Sequence, residues 1–123
     1  MREEAVTVRA LSRETIDYDL DYSQGDPYDY TELRAKLDDS SSYINYISGD
    51  DSFTASVVAG DDSSNRADDD AIRRVNKNIE PGNWYYLTNY VKEDGDYGWA
   101  AIRGESNYDW FYNASGKWSP DSI

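Results

Sequence analysis

A chain of 123 residues has room for one domain, which would bury roughly two thirds of the surface its unfolded form exposes. It contains no cysteine and no histidine, which excludes disulfides, thiolate metal sites, thiol nucleophiles and every mechanism built on imidazole. The net charge of −13, from 25 acids against 12 bases, opposes direct binding to nucleic acid or to an anionic membrane.

Eighteen of the 25 acids are aspartate, and they are unevenly spread: residues 1–62 carry 15 acids and 5 bases, residues 63–123 carry 10 and 7. Eighteen aromatic residues (Tyr 12, Trp 4, Phe 2) are far more than a solvating tail holds, so the chain is expected to fold despite its charge.

In chain order, "EAVTVRALS" (4–12) alternates Val6 and Val8 with polar residues and predicts a short strand. "TIDYDLDY" (15–22) predicts a second, with Asp17, Asp19 and Asp21 on one face and Ile16, Tyr18, Leu20 and Tyr22 on the other. "SQGDP" is a loop broken by Gly25 and Pro27. "DYTELRAKL" (29–37) predicts a short helix, capped by Asp29 with Glu32 three residues on and with Leu33 and Leu37 on one face.

"SYINYIS" and "SFTASVVAG" flank "GDD" and predict a β-hairpin. After an acidic loop, "DDDAIRRVNKNI" (68–79) predicts a second helix with Ile72, Val75 and Ile79 as its apolar stripe, stopped by "EPG". Its Arg73, Arg74 and Lys77 are expected to serve the helix dipole and neighbouring acids. From Asn83 onward, "NWYYLTNYV", "YGWAAIRG", "YDWFYN" and "GKW" predict an antiparallel meander. The expected fold is a single α+β domain over 1–123: N-terminal strands, a hairpin and a C-terminal meander forming an antiparallel sheet, with two short helices.

Chemical motifs are few. "DYDLD" begins like a calcium loop, but such a loop needs glycine where Tyr22 stands and glutamate where Tyr28 stands. No phosphate-binding loop, dinucleotide fingerprint or nucleophile elbow occurs. Carboxylates, Lys, Tyr, Ser and Thr are the catalysts left, and the expectation is a non-enzyme without metal or cofactor. No apolar run approaches the roughly 18 residues of a membrane span, and the N-terminus lacks a basic segment followed by an apolar one, so a cytoplasmic location is expected.

"GNWYYL", "GW" and "DWFYNASGKW" resemble pieces of the choline- and glucan-binding repeats of bacterial surface proteins, over about 35 residues. The resemblance implies an aromatic-rich carbohydrate or cell-wall binding module, although Trp84 and Trp110 are spaced more widely than those repeats allow. Aromatic strands supply such strings anyway, and core packing is the expectation for them.

The remaining feature is acidic. Along an extended strand Asp17, Asp19 and Asp21 are spaced by roughly 6.6 Å, a ladder about 13 Å long. Asp26, Asp29, Asp38, Asp39, Asp50 and Asp51 stand on predicted loops and turns near it. Small size, acidity concentrated in one half and the tyrosines beside it resemble, in composition and charge layout, the DNA-mimic inhibitors of phages and mobile elements, anti-restriction and anti-CRISPR proteins among them. That resemblance implies a stoichiometric blocker of a basic, nucleic-acid-binding host defence or repair enzyme, monomeric or homodimeric, acting in the host cytoplasm. Tyr18, Tyr22, Tyr28 and Tyr30 would then supply apolar and cation–π contacts to the partner's arginines. An Asp-rich structural protein of a salt-adapted host or a virion is the other class this composition fits.

Overall fold

The computed structural model describes residues 12–23, 25–108, 110 and 112–122. The strand expected over 4–12 lies, apart from Ser12, outside them. Nine strands follow: β1 (Ile16–Tyr22), β2 (Tyr28–Tyr30), β3 (Arg34–Ala35), β4 (Ser42–Ser48), β5 (Phe53–Gly60), β6 (Lys77–Ile79), β7 (Trp84–Leu87), β8 (Trp99–Ser106) and β9 (Tyr112–Ser119). They form two antiparallel sheets, β1-β9-β4-β7 and β2-β8-β5-β6, with β3 also pairing β8. The inward residues of both sheets meet in one apolar cluster, which makes the architecture a β-sandwich.

The expected α+β class is therefore corrected to all-β, with no helix among the described residues. Residues 29–37 are extended along β8 instead of coiled. Tyr30 pairs Arg103, Thr31 N donates to Ile102 O at 3.0 Å, Arg34 pairs Ala100, and Lys36 N donates to Gly98 O at 2.9 Å. The register slips by one residue between Tyr30 and Arg34, which splits one edge strand into β2 and β3. The helix signals were local and the competing term is tertiary: one edge of β8 needs backbone partners, and the segment supplies them. Asp29 caps nothing helical; its two oxygens accept from Tyr30 N and Asp21 N, both at 2.9 Å. Leu37 is exposed, so no apolar helix face exists.

The second expected helix is also absent. Residues 68–76 run through turns, with Ala71 N donating to Asp68 O at 2.9 Å, and the chain then enters β6, where Ile79 pairs Phe53 and Lys77 pairs Ala55. Ile72 and Ile79 are buried, but Val75, the middle of the proposed stripe, faces solvent. Arg73 turns away to grip Asp94 with two 2.8 Å bonds, and Arg74 pairs with Asp70 at 3.3 Å.

Strand pairing differs from expectation too. β4 and β5 lie in different sheets, so "GDD" is a crossover between layers and not a hairpin turn. Likewise β7, β8 and β9 alternate between sheets, and no meander forms. Alternation fixes which side chains point inward, but an inward face can be covered by either layer.

Where the layers meet, Phe53 of one sheet packs edge-on against Tyr46 of the other, ring centroids 5.3 Å apart, and 6.3 Å from Tyr22. Leu20, Ile44, Ile102 and Trp118 complete the middle. Inward tyrosines need room. Gly116, paired with Tyr18 on one side and Tyr46 on the other, provides it on β9, and Gly104 does so opposite Tyr22.

Burial sets an alkaline limit on the fold. It disfavours the phenolate, pushing Tyr46 up to about 12 with help from Tyr112 and Asp51, and raising Tyr18 and Tyr22 well above the ordinary tyrosine range. Because the folded state holds these protons more tightly than the unfolded one, their stabilisation is complete below about pH 10 and is lost as pH rises through the raised values. An ultraviolet absorbance titration should find three tyrosines that ionise only together with loss of the circular dichroism signal. Reversible ionisation of all twelve near pH 10 in folded protein would contradict this packing.

Candidate functional site

The outer face of the β1-β9-β4-β7 sheet has two chemically different edges. From Asp17 onward the burial on β1 alternates as the sequence predicts, with Tyr18, Leu20 and Tyr22 pointing inward and Asp17, Asp19 and Asp21 pointing out, whereas Ile16, expected on the apolar side, is exposed. Asp17 pairs with Lys117 at 2.8 Å, and Asn113 on β9 donates to Asp19 and, at 2.8 Å, to Asp21. The ladder is thus extended and exposed, with one cation and one amide threaded along it. On the opposite edge Trp84 and Tyr86 of β7 are exposed by more than half and enclose Tyr43 of β4, with ring centroids 5.4 to 6.1 Å apart.

One cross-strand row joins the two edges. Asp17 faces Lys117, Lys117 faces Asn45, and Asn45 faces Trp84. Three strand spacings of about 4.8 Å put the carboxylate edge and the aromatic edge about 14 Å apart on one surface. The sequence reading assigned these aromatics to the core. The signal that separates them is the period of two: Trp84 and Tyr86 alternate with Tyr85, which packs against the core, and Leu87, which is buried within it.

The four tyrosines singled out from sequence are placed otherwise. Tyr18 and Tyr22 belong to the core, with the Tyr18 hydroxyl donating to Asn45 O at 3.0 Å. Tyr28 and Tyr30 stand on the outer side of the second sheet, and the chain's own arginines already cover their rings: Arg103 lies 4.5 Å from the Tyr28 centroid and Arg66 lies 3.5 Å from that of Tyr30. Asp69 ties this cluster together, accepting from the Tyr30 hydroxyl at 2.7 Å and Arg103 Nε at 3.0 Å.

The loop acids scatter. Asp26, Asp39 and Asp50 are exposed, and Asp29 is half-buried as a backbone acceptor. Asp51 accepts from Trp110 Nε1 at 2.8 Å, and Trp110 stacks on Tyr108 with centroids 4.4 Å apart, forming a second exposed aromatic group at one end of the sandwich. Asp38 lies at a polar knot for which no local pattern in the sequence is a signal. Lys36 and Asp121, both fully buried, meet there at 2.5 Å, and Asp38 lies 3.9 Å from the Lys36 ammonium. Burial pushes the Asp38 carboxyl up, but its hydrogen bonds with Ser40, with Asp121 and Lys36 nearby, bring it below the usual carboxylate range. Among the described residues no cluster of carboxylates is grouped closely enough to hold a metal ion, and no helix is long and apolar enough to cross a membrane.

Fold and surface together define an antiparallel β-sandwich with a mixed acidic and aromatic sheet face. The chain belongs to the DUF2712 family, proteins of unknown function, whose model matches residues 6–122. No curated protein and no solved structure matches it significantly.

Proposed function

We propose that the chain is a non-catalytic, stoichiometric inhibitor whose acidic face occupies the basic groove of a nucleic-acid-binding host defence or repair enzyme in the cytoplasm. The observation that carries this reading is the single sheet face with Asp17, Asp19 and Asp21 exposed at one edge and Trp84 and Tyr86 exposed at the other. A surface rich in arginine and lysine satisfies both edges, pairing with the carboxylates and stacking on the rings. The net charge of −13 would steer such a partner at long range. Compared with the sequence reading, Tyr43, Trp84 and Tyr86 take over the aromatic role from Tyr18, Tyr22, Tyr28 and Tyr30.

Joint replacement of Asp17, Asp19 and Asp21 by Asn is expected to weaken a captured complex at least about tenfold and to flatten its salt dependence. Trp84→Ala should weaken it further without changing the salt slope. Binding that survives the triple replacement unchanged would remove the mechanism.

A second reading, a carbohydrate or cell-wall binding module, is favoured by the exposed Tyr108–Trp110 stack, whose rings are tilted by only 22°. Choline or a soluble glucan should then change tryptophan fluorescence in the wild type and not in Trp110→Ala.

A further inference from the structure

Lys36 and Asp121 form a buried pair in direct contact. Both side chains are fully shielded from solvent, and the Lys36 Nζ lies 2.5 Å from Asp121 Oδ1. Asp121 is fixed in place: Oδ2 accepts from Leu37 N at 2.9 Å, its backbone N donates to Ser12 O at 3.0 Å, and its backbone O accepts from Ser119 Oγ at 3.0 Å. Lys36 is held from the other side by Ser40 O, at 2.7 Å from Nζ. A third group capable of moving protons, Asp38, sits 3.9 Å from the same nitrogen and is itself oriented by Ser40 N at 2.9 Å.

We propose that Lys36 and Asp121 condense into an intramolecular isopeptide bond, with Asp38 as the proton relay. The reacting form has the proton of the short contact on the carboxyl side, so that Lys36 presents an amine and Asp121 a carboxylic acid. The amine lone pair then attacks Cγ of Asp121. Asp38 takes a proton from the nitrogen and delivers it to the departing hydroxyl; the C–N bond forms, the C–O bond breaks, and one water leaves. The step needs no oxidant and no co-reactant. Holding the two groups in contact supplies the effective molarity, about 10⁵ to 10⁸ M in well-oriented intramolecular reactions, that free amine and acid lack. The product would tie the edge strand of one sheet to the segment that follows β9 in the other, and it does not depend on the proposed function.

The test is the intact mass of the denatured full-length protein, followed by protease digestion and fragment sequencing. The expected mass is below the sequence mass by one water, with a branched peptide joining Lys36 to Asp121 and no tryptic cleavage after Lys36. Asp38→Asn, which keeps the shape of the side chain, should restore the full mass or slow condensation at least about tenfold in folded protein, because it removes the relay. A full-mass wild type cleaved normally after Lys36 would overturn the proposal. So would a lost water that maps elsewhere, for instance to a cyclic imide at Asp94–Gly95.

Discussion

Asp121→Ala is expected to lower stability by about 3 to 5 kcal/mol, the range seen when one member of a buried ion pair is removed. The size follows from what is left behind. Lys36 is fully buried, and without Asp121 its ammonium keeps only Ser40 O and the more distant Asp38. Leu37 N also loses its acceptor, in a segment that closes one edge of β8. For the uncondensed pair, urea unfolding should show a lower midpoint at an unchanged slope, since the exposed area on unfolding stays the same. A loss below about 1 kcal/mol would mean that the pair is no more important than a surface one. Where the pair has condensed, the variant instead loses a covalent tie between positions 85 residues apart, and the slope should rise as well, because the open unfolded chain exposes more surface than the cross-linked one.

Gly116→Ala is the second large effect. A Cβ on Gly116 would stand 1.8 Å from Asn45 O and 3.0 Å from the Tyr18 hydroxyl. The first neighbour is backbone of the adjoining strand, so relief requires β9 and β4 to separate, and both are interior strands of the sheet. Overpacking typically costs about 1 to 3 kcal/mol, and a backbone clash belongs at or above the top of that range. Gly98→Ala is the matched control, because a Cβ there meets open space. Equal unfolding midpoints for the two variants would contradict the close approach of β9 to β4.

How far the sequence could be read depends on which interactions decide each segment. β1 was legible because its alternation is strict and one side is apolar, and the same alternation placed Asp17, Asp19 and Asp21 outward. Residues 29–37 were not, because capping and spacing report local preference while the deciding partner is β8, about 70 residues away. At 68–79 the spacing of Ile72, Val75 and Ile79 suits a helix, yet only Ile72 and Ile79 reach the core, by way of a turn and a short strand. The pairing of β4 and β5 with separate layers left no local trace at all. For the site, the acidic edge could be read and the aromatic edge could not, since a Trp/Tyr string has the same composition whether it faces in or out. The Lys36–Asp121 contact is set by the fold alone.

Competition with duplex DNA decides whether one sheet face acts as a substitute polyanion for a basic partner. The immobilised protein captures its partner from host lysate at low salt, and duplex DNA is then added to the washed complex. Duplex DNA should release the partner, and nothing should be captured when Asp17, Asp19 and Asp21 are Asn and Trp84 is Ala. A complex that withstands excess DNA and forms equally well on the altered face would contradict that role.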